Sequence, residues 1–275
     1  MTRSITFVVS VNDETIFDNN LMVSPCLAAG GLHQLIVQRG FRSAPTAYND
    51  AISRSDNDLI VFAHQDVVFP ASWIHDLDRS LELLDEIDPL WGVIGCYGET
   101  LNDNGRGYVY SPGRGILGKE FQYPSLVQTL DEAVLIIRKS SGLRFDRDLP
   151  DFHFYGADIC MAAAERGMKS YAICALCVHN SQQNLVLPPA FYRSYSHFRN
   201  RWRKFLPVQT TCTRVTSLNA HVFIRRLKEP YLKYLRRKTI GSRRVENGRL
   251  ALAEAERLKK GRVTGNPQGE GTSCA

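Results

Sequence analysis

The unbroken apolar run Leu59-Ile60-Val61-Phe62-Ala63 constrains the fold of this chain more than any other stretch, because His64-Gln65-Asp66 follows it at once. A short apolar run without alternation is typical of a strand covered on both faces, as in a sheet between two layers of helices. Ligands of open α/β sheets bind at the carboxyl ends of the strands. The sequence therefore predicts an imidazole and a carboxylate at a ligand-binding edge.

Asp66 has two interpretations at this point. A carboxylate at a strand end can hold a hard cation, which in turn neutralises a phosphate group. Alternatively, Asp66 caps the next helix, since Pro70 and Trp73-Ile74 indicate that one begins nearby. The rest of the chain favours the first interpretation.

Strand-like and helix-like segments alternate along the chain before and after this run. Strands are predicted for residues 5–11 and 34–38, and a helix for residues 47–52. Residues 73–87 carry apolar side chains at helical spacing. The alternation predicts an α/β fold with a doubly wound, mostly parallel mixed sheet.

The charge distribution divides the chain into an acidic body and a basic C-terminal segment. Residues 1–188 contain 14 Lys and Arg against 23 Asp and Glu, whereas residues 189–263 contain 20 against 4. We predict an α/β domain over residues 1–188, a basic helical extension over 189–260 and a disordered tail over 261–275. Such a basic segment indicates an anionic partner.

Composition argues against a membrane-spanning protein and against a disulfide framework. A hydrophobic content of 44% and a charged content of 23% are ordinary for a globular protein. No apolar run approaches the roughly twenty residues that a spanning helix needs, and the N-terminus has no signal-peptide form. We therefore predict a cytoplasmic protein. Seven cysteines without regular spacing favour buried free thiols.

Five stretches of the acidic body together carry a resemblance to a known family. They are Phe7-Val8-Val9-Ser10-Val11-Asn12, Ala44-Pro45-Thr46-Ala47-Tyr48-Asn49, Val61-Phe62-Ala63-His64-Gln65-Asp66-Val67, Phe152-His153-Phe154-Tyr155-Gly156-Ala157-Asp158 and Val178-His179-Asn180-Ser181. In this order they resemble a family-2-type glycosyltransferase of the GT-A fold, and they are similar to the subgroup named for a streptomycin-biosynthesis domain. The resemblance implies a Rossmann-like domain that transfers a sugar, with inversion, from a nucleotide-sugar donor to an acceptor hydroxyl in glycan or glycoconjugate biosynthesis.

The resemblance implies a metal site at the end of the central strand. The family places an Asp-x-Asp motif there, whose first position is His64 in this chain and whose last is Asp66. His179 matches a position that completes the metal site or contacts the diphosphate. One carboxylate with imidazoles suits Mn²⁺ at least as well as Mg²⁺. For His64 the alternative is a hydrogen bond to the donor, and for His179 a structural role at a strand end.

An inverting transfer also needs a base that deprotonates the acceptor hydroxyl. The family places an Asp for this at the start of a helix, and Asp158 matches it, although Ala157 replaces the usual acidic neighbour. The alternative for Asp158 is a helix N-cap. Asp131 and Glu132 are predicted to face the acceptor, with a surface turn as the alternative.

Donor binding is implied for residues after the first two strands. Ser10 and Asn12 match the nucleotide-binding positions after the first strand, and Asn49 the position after the second, alongside His64 and Asp66. The acidic residue that often reads the base is absent, since Gln38-Arg39 occupies that area.

Two other classes of protein remain open on the sequence alone. The departures at His64 and Ala157 are compatible with a catalytically silent protein that binds a sugar nucleotide. The basic segment, with Trp202, Tyr231 and Tyr234, is compatible with nucleic-acid binding, although no recognised module is present. Its apolar and basic side chains also suit contact with the inner face of an anionic membrane, where a lipid-linked acceptor would lie.

Overall fold

A computed structural model of the chain describes residues 3–28, 33–102, 105–237 and 239–264. The α-helices are α1 (Glu14–Asn19), α2 (Pro25–Ala28), α3 (Ala44–Arg54), α4 (Trp73–Ile87), α5 (Tyr155–Glu165), α6 (Pro189–Arg201), α7 (Ala220–Pro230) and α8 (Gly248–Thr264). The strands are β1 (Ile5–Val11), β2 (Gln34–Arg39), β3 (Leu59–His64), β4 (Val67–Val68), β5 (Val93–Gly95), β6 (Tyr97–Glu99), β7 (Gly105–Ser111), β8 (Gly115–Gly118), β9 (Ser125–Val127), β10 (Thr129–Leu130), β11 (Val134–Arg138), β12 (Ser170–Ala172), β13 (Cys177–His179), β14 (Gln183–Asn184), β15 (Val208–Gln209), β16 (Arg214–Val215) and β17 (Ile240–Ser242). Short 3₁₀ turns lie at Leu21–Val23, Lys139–Ser141 and Arg203–Phe205, and a π-helical turn, Tyr231–Leu235, follows α7.

The central sheet has the strand order β2-β1-β3-β11-β5-β12-β9 among the described residues. Strand β1 pairs in parallel with β2 and β3, and β5 with β12, whereas β11 and β9 pair antiparallel to their neighbours. The predicted mixed sheet is confirmed, and half of its pairings within the described part of the chain are parallel. The antiparallel strand β11 enters at the middle because the chain returns there from the second sheet.

Both faces of the central sheet are buried, as the apolar run into His64 predicted. On one face Tyr48 and Ile52 of α3 pack against Phe62. On the other face Leu77 and Leu81 of α4 pack in a second apolar cluster. Helix α4 spans the predicted residues 73–87, because its apolar side chains form one stripe toward the sheet.

A second sheet has the strand order β10-β6-β7-β13-β4, and β8 pairs with β7 beside it. Helix α8 covers it with Ala251, Leu252 and Ala255, which pack against Tyr108 and Val178. The predicted tail from residue 261 begins too early, because α8 continues to Thr264. Residues 265–275 lie outside the described part of the chain.

The basic C-terminal part is helical, as predicted, and it packs into the body. Four aromatic side chains of α6 and the residue that follows it lie in the same apolar cluster as α3 and β3: Phe191, Tyr195, Phe198 and Trp202. Residue 188 therefore marks a change in charge, whereas the apolar core continues across it. Among the described residues, no helix is long and apolar enough to cross a membrane.

Candidate active site

The carboxyl ends of β1, β2 and β3 form one edge of the central sheet. Ser10 lies in register with Gln38 on one side and with His64 on the other. Residues in register on neighbouring strands project to the same face. A cleft of about 570 Å³ opens at this edge, which we call the first cleft. Its lining includes Ser10, Asn12, Gln38, Arg39, His64 and Asp66.

Gln65 fixes the turn between the two predicted ligands. Its side-chain oxygen accepts hydrogen bonds from the backbone N–H groups of Asn12 and Asp13, at 3.0 and 3.2 Å. Its amide nitrogen donates to Asn12 Oδ1 at 2.6 Å. The loop after β1 and the loop after β3 are thus bound together, and His64 and Asp66 project from a fixed turn.

His64, Asp66 and His179 form a compact cluster, as the resemblance implied. Nδ1 of His64 lies 3.3 Å from Nε2 of His179, and Oδ1 of Asp66 lies 3.4 Å from that same nitrogen. One ligand atom from each residue lies within 4.8 Å of the other two. Strand β13 brings His179 here because it pairs with β4, which follows Asp66. Imidazole nitrogens and a carboxylate oxygen at this spacing fit a divalent transition-metal ion.

The electrostatics of the cluster also fit a cation. Burial and the neighbouring His179 lower the pKa of His64 to about 4, so its imidazole is neutral at pH 7. Burial opposes ionisation of Asp66, but His179 and His64 hold the pKa of that carboxyl below its usual range. Burial likewise opposes the charged form of His179, but Asp66 raises its pKa. The cluster thus offers the neutral imidazole of His64 and the ionised carboxylate of Asp66 at neutral pH. The raised pKa of His179 favours its protonated form, so a cation bound there would displace a proton.

Arg244, which no sequence motif singled out, holds the other oxygen of Asp66. Its Nη2 donates to Asp66 Oδ2 at 2.8 Å, and its Nε donates to the carbonyl of Asn180 at 2.7 Å. The Asn180 side chain in turn exchanges hydrogen bonds with the backbone of Val245. With Oδ2 held in this way, Oδ1 is the oxygen that faces the two histidines.

A second cleft of about 420 Å³ lies on the other side of the cluster. Its lining includes Tyr97, Glu99, Arg114, Asp131, His179 and Arg225. His64 and Asp66 line the first cleft and His179 the second, so the cluster lies between the two. Asp131, which was predicted to face the acceptor, lines this second cleft.

Glu132, between β10 and β11, contacts the first turn of α5. Its Oε1 accepts a hydrogen bond from the Gly156 backbone N–H. Burial, together with the charge of Asp131, raises the pKa of Glu132 to about 8. The hydroxyl of Tyr155 contacts the carbonyl of Glu132 and lies 2.7 Å from Nε2 of His64. Glu132 therefore holds the start of α5 through its side chain. Its carbonyl also positions the Tyr155 hydroxyl that contacts His64.

Asp158 is placed differently from the expected base. Its side chain is almost fully buried, and its two oxygens accept hydrogen bonds from Nη1 of Arg201 at 2.9 Å and Nε1 of Trp202 at 2.7 Å. Burial raises its pKa to about 6 against the opposing effect of Arg201. It is not among the described residues that line either cleft. The N-cap of α5 is Phe154, so the capping alternative for Asp158 is wrong.

Asn49, predicted to bind the donor, is likewise turned away from the first cleft. Its side-chain amide donates to the carbonyl of Phe145 at 2.8 Å and accepts from the N–H of Phe145 at 3.0 Å. The amide thus fastens a loop to α3. Gln38 lines the cleft but is also engaged, since it donates to Asp50.

Comparison with known proteins assigns most of the chain to one family. The model of a family described as "Glycosyltransferase like family" matches residues 6–186. A curated relative from Fuscovulum blasticum, described as "ATP synthase subunits region ORF 6", is 27% identical over 165 residues. That match covers 58% of this chain and 66% of the relative, which is just under two-thirds of the relative's length.

Solved structures also resemble the chain, at low sequence identity. A mannosyltransferase from Pyrobaculum calidifontis in complex with GDP-Man and Mn²⁺ has a TM-score of 0.44 and 14% identity, covering 97% of this chain and 77% of that one. S. aureus TarS 1-349 in complex with UDP has a TM-score of 0.46 and 12% identity, covering 86% and 73%.

Proposed function

Because the chain belongs to the glycosyltransferase-like family over residues 6–186, we propose that it transfers a sugar from a nucleotide-sugar donor to an acceptor hydroxyl, with inversion and with a divalent cation. The observation that carries the proposal is the His64, Asp66 and His179 cluster between two clefts. A donor in the first cleft and an acceptor in the second would meet at this cluster. The proximity of the two substrates is itself a large part of catalysis.

The first cleft has the groups that a nucleotide diphosphate needs. Ser10 and Asn12 line it beside Arg39, which forms an ion pair with Glu14 at 2.6 Å on the rim. His64, Asp66 and His179 would hold Mn²⁺ or Mg²⁺, which would offset the charge of the leaving diphosphate. His64, neutral at pH 7, and Asp66, ionised, are in the protonation states that ligation requires.

For the general base the geometry favours Asp131 over Asp158. Asp131 lines the second cleft together with His179, and one of its oxygens accepts a hydrogen bond from the Ala133 N–H. Asp158 has Arg201 and Trp202 on its two oxygens. A base must reach the proton that it removes within hydrogen-bond distance or through one water. We therefore assign the proton transfer to Asp131 and a structural role to Asp158.

A glycan or a lipid-linked acceptor in glycoconjugate biosynthesis fits the second cleft, which holds both acidic and basic side chains. Within the family, similarity to the streptomycin-biosynthesis subgroup stays a prediction. Nucleic-acid binding through Trp202 is disfavoured, since that ring is buried against Asp158 and unavailable for stacking on bases.

Calorimetric titration with UDP and GDP, each with and without Mn²⁺, tests the donor site. We expect one nucleotide to bind, and to bind at least about tenfold more weakly without the cation or in His179→Ala. Binding that is equally tight without Mn²⁺ would contradict the metal-dependent site. Binding without any turnover of UDP- or GDP-sugars would favour the catalytically silent alternative.

Slow hydrolysis of the preferred nucleotide sugar tests the chemistry without a known acceptor. We expect Asp131→Asn to lower this rate by about 10²- to 10⁴-fold, the usual contribution of a general base, with nucleotide affinity unchanged. NMR of the first-formed sugar anomer tests inversion. Retention at the anomeric carbon, or an unchanged rate in Asp131→Asn, would contradict the respective assignment.

A further inference from the structure

Helix α7 and the π-helical turn after it expose one apolar face. Its members recur every three to four residues and lie on the surface: Phe223, Ile224, Leu227, Tyr231, Tyr234 and Leu235. Phe223 is 62%, Leu227 63% and Leu235 75% exposed. Isolated exposed apolar residues are ordinary, but six at helical spacing form a contiguous patch that marks an interaction site. We call this patch the α7 face.

The opposite side of α7 fastens the helix to the body. Val222 is buried in the core cluster that includes α6. Glu229 accepts hydrogen bonds from the Leu187 N–H and the Tyr192 hydroxyl, and the Arg226 guanidinium lies over the Tyr192 ring. These contacts use positions 222, 226 and 229, so the helix is oriented with the α7 face outward. The exposure of the face is therefore set by the packing of the helix.

Cations border the α7 face. Lys228, Lys233 and Arg236 are exposed beside it, whereas the single acidic residue of residues 220–237, Glu229, points to the body. Tyrosines at two of the six positions add amphipathic rings of the kind found at membrane interfaces. Apolar side chains flanked by Lys and Arg suit a helix that lies in the plane of an anionic lipid surface.

The α7 face lies next to the second cleft. Arg225 belongs to α7 and also lines that cleft, together with Leu187, whose N–H is bound by Glu229 of the same helix. A lipid surface against α7 would therefore lie beside the opening in which we place the acceptor. A peptide or a second copy of the chain is the alternative occupant of the α7 face, and the sedimentation experiment below distinguishes it from a bilayer.

We propose that the α7 face docks on an anionic phospholipid bilayer and presents the second cleft to a lipid-linked acceptor. The acceptor part of this proposal rests on the glycosyltransferase function proposed above. The docking itself is measured without any turnover, so failure of docking and failure of the enzymatic assignment are separate results.

Co-sedimentation of the full-length chain with vesicles tests the docking. One set contains equal parts of phosphatidylglycerol and phosphatidylcholine, and the other contains phosphatidylcholine alone. We expect binding to the anionic vesicles that weakens as salt is raised, and about tenfold lower partitioning to the neutral ones. No binding of the full-length chain to either set would overturn the proposal.

Two variants and a matched control locate the surface. In the first variant Phe223→Ser, Leu227→Ser and Leu235→Ser are combined, and in the second Lys228→Gln and Lys233→Gln. Each should lower partitioning by at least about tenfold. The control combines Leu90→Ser, Leu101→Ser and Leu250→Ser, which are similarly exposed elsewhere, and should bind like the unaltered chain.

Circular dichroism and sedimentation velocity of all variants complete the test. All replaced residues are exposed, so we expect unchanged folding. Equal vesicle binding by the α7 variants and the control would overturn the proposal. So would a change from dimer to monomer in the first variant with vesicle binding unchanged, because the α7 face would then join two copies of the chain.

Discussion

Asp66 and Asp158 are buried carboxylates, and each is bound by an arginine from the basic segment. They differ in whether one carboxylate oxygen remains open to a ligand. Arg244 takes one oxygen of Asp66 and leaves the other toward His64 and His179. Arg201 and Trp202 take both oxygens of Asp158. A carboxylate with an open oxygen at a cleft can bind a ligand, whereas one with both oxygens satisfied links two elements of the fold.

The ion pairs of Asp66 and Asp158 also explain why the basic segment belongs to the folded body. The acidic body places several carboxylates in partly buried positions, where an uncompensated charge is costly. Asp66 pairs with Arg244, and Asp158 and Asp146 both pair with Arg201. Part of the positive charge beyond residue 188 thus neutralises the site from within. The remainder lies on the surface, with Lys228, Lys233 and Arg236 beside the α7 face.

The largest expected effect is the loss of Asp66. Asp66→Asn removes the charge that would hold the cation while preserving the size of the side chain. We expect turnover to vanish and Mn²⁺ affinity to fall by more than the roughly 10- to 100-fold typical of a residue that only supports a ligand. Mn²⁺ titration followed by electron paramagnetic resonance measures the affinity. Glu86→Gln, exposed near the end of α4, is the control, and equal Mn²⁺ affinity in both variants would refute the cluster.

Asp158 should show its effect in stability. Removing one partner of a buried ion pair costs about 3–5 kcal/mol when the other charge is left without compensation. Arg201 keeps Asp146 at 2.7 Å, so we expect Asp158→Asn to lower the free energy of unfolding in urea by less than this range. Arg201→Met alone and the double variant complete a double-mutant cycle that isolates the coupling. A stable Asp158→Asn protein with a 10²- to 10⁴-fold loss of rate would instead restore the role of general base.

The sequence predicted the local features of this site well. The apolar run into His64 and the helical spacing of residues 73–87 specify β3 and α4, because each pattern is satisfied by burial against its nearest layers. β3 and α4 are features that short-range pattern determines. The resemblance to the family implied that His179 lies with His64 and Asp66, and the three residues form one cluster.

The partners of the two carboxylates could not be predicted in the same way. Arg244 lies 178 residues from Asp66 and Arg201 43 from Asp158, with no spacing rule to connect them. Asn49 and Asp158 matched motif positions, but their environments depend on Phe145 and Trp202, which come from segments distant in sequence. The charge asymmetry was the only sequence signal for these arginine partners. It indicated an anionic partner for the basic segment, but it did not show that the acidic body is part of that partner.

Arg244 should have an intermediate effect, because it acts on the cation only through Asp66. Arg244→Met frees Oδ2 of Asp66 and loosens the carboxylate, so we expect a roughly 10- to 100-fold loss of Mn²⁺ affinity, partly recovered in Arg244→Lys. Arg243→Met, its exposed neighbour, is the control. Tighter Mn²⁺ binding in Arg244→Met would show that the guanidinium competes with the cation.

The smallest effect, and the sharpest comparison, is the pH dependence of stability. For Asp158 burial outweighs the pairing with Arg201, so its pKa in the folded protein is about 6, above the usual 3.8. The folded state then binds a proton between these values that the unfolded state has released, and the contribution of Asp158 to stability falls as pH rises from 4 to 6. For Asp66 the folded pKa is lowered, so its contribution is present above pH 3.8 and is lost as pH falls below it.

The opposite pH dependences expected for Asp158 and Asp66 can be measured against matched variants. The free energy of unfolding of the unaltered chain minus that of Asp158→Asn should be larger at pH 4 than at pH 7, since Asn does not titrate. The corresponding difference for Asp66→Asn should not decrease over that range. If the Asp158 difference instead grows with pH, the pairing with Arg201 and Trp202 outweighs the cost of burial. Asp158 would then be an ionised anchor, like Asp66, and only the open oxygen would separate the two.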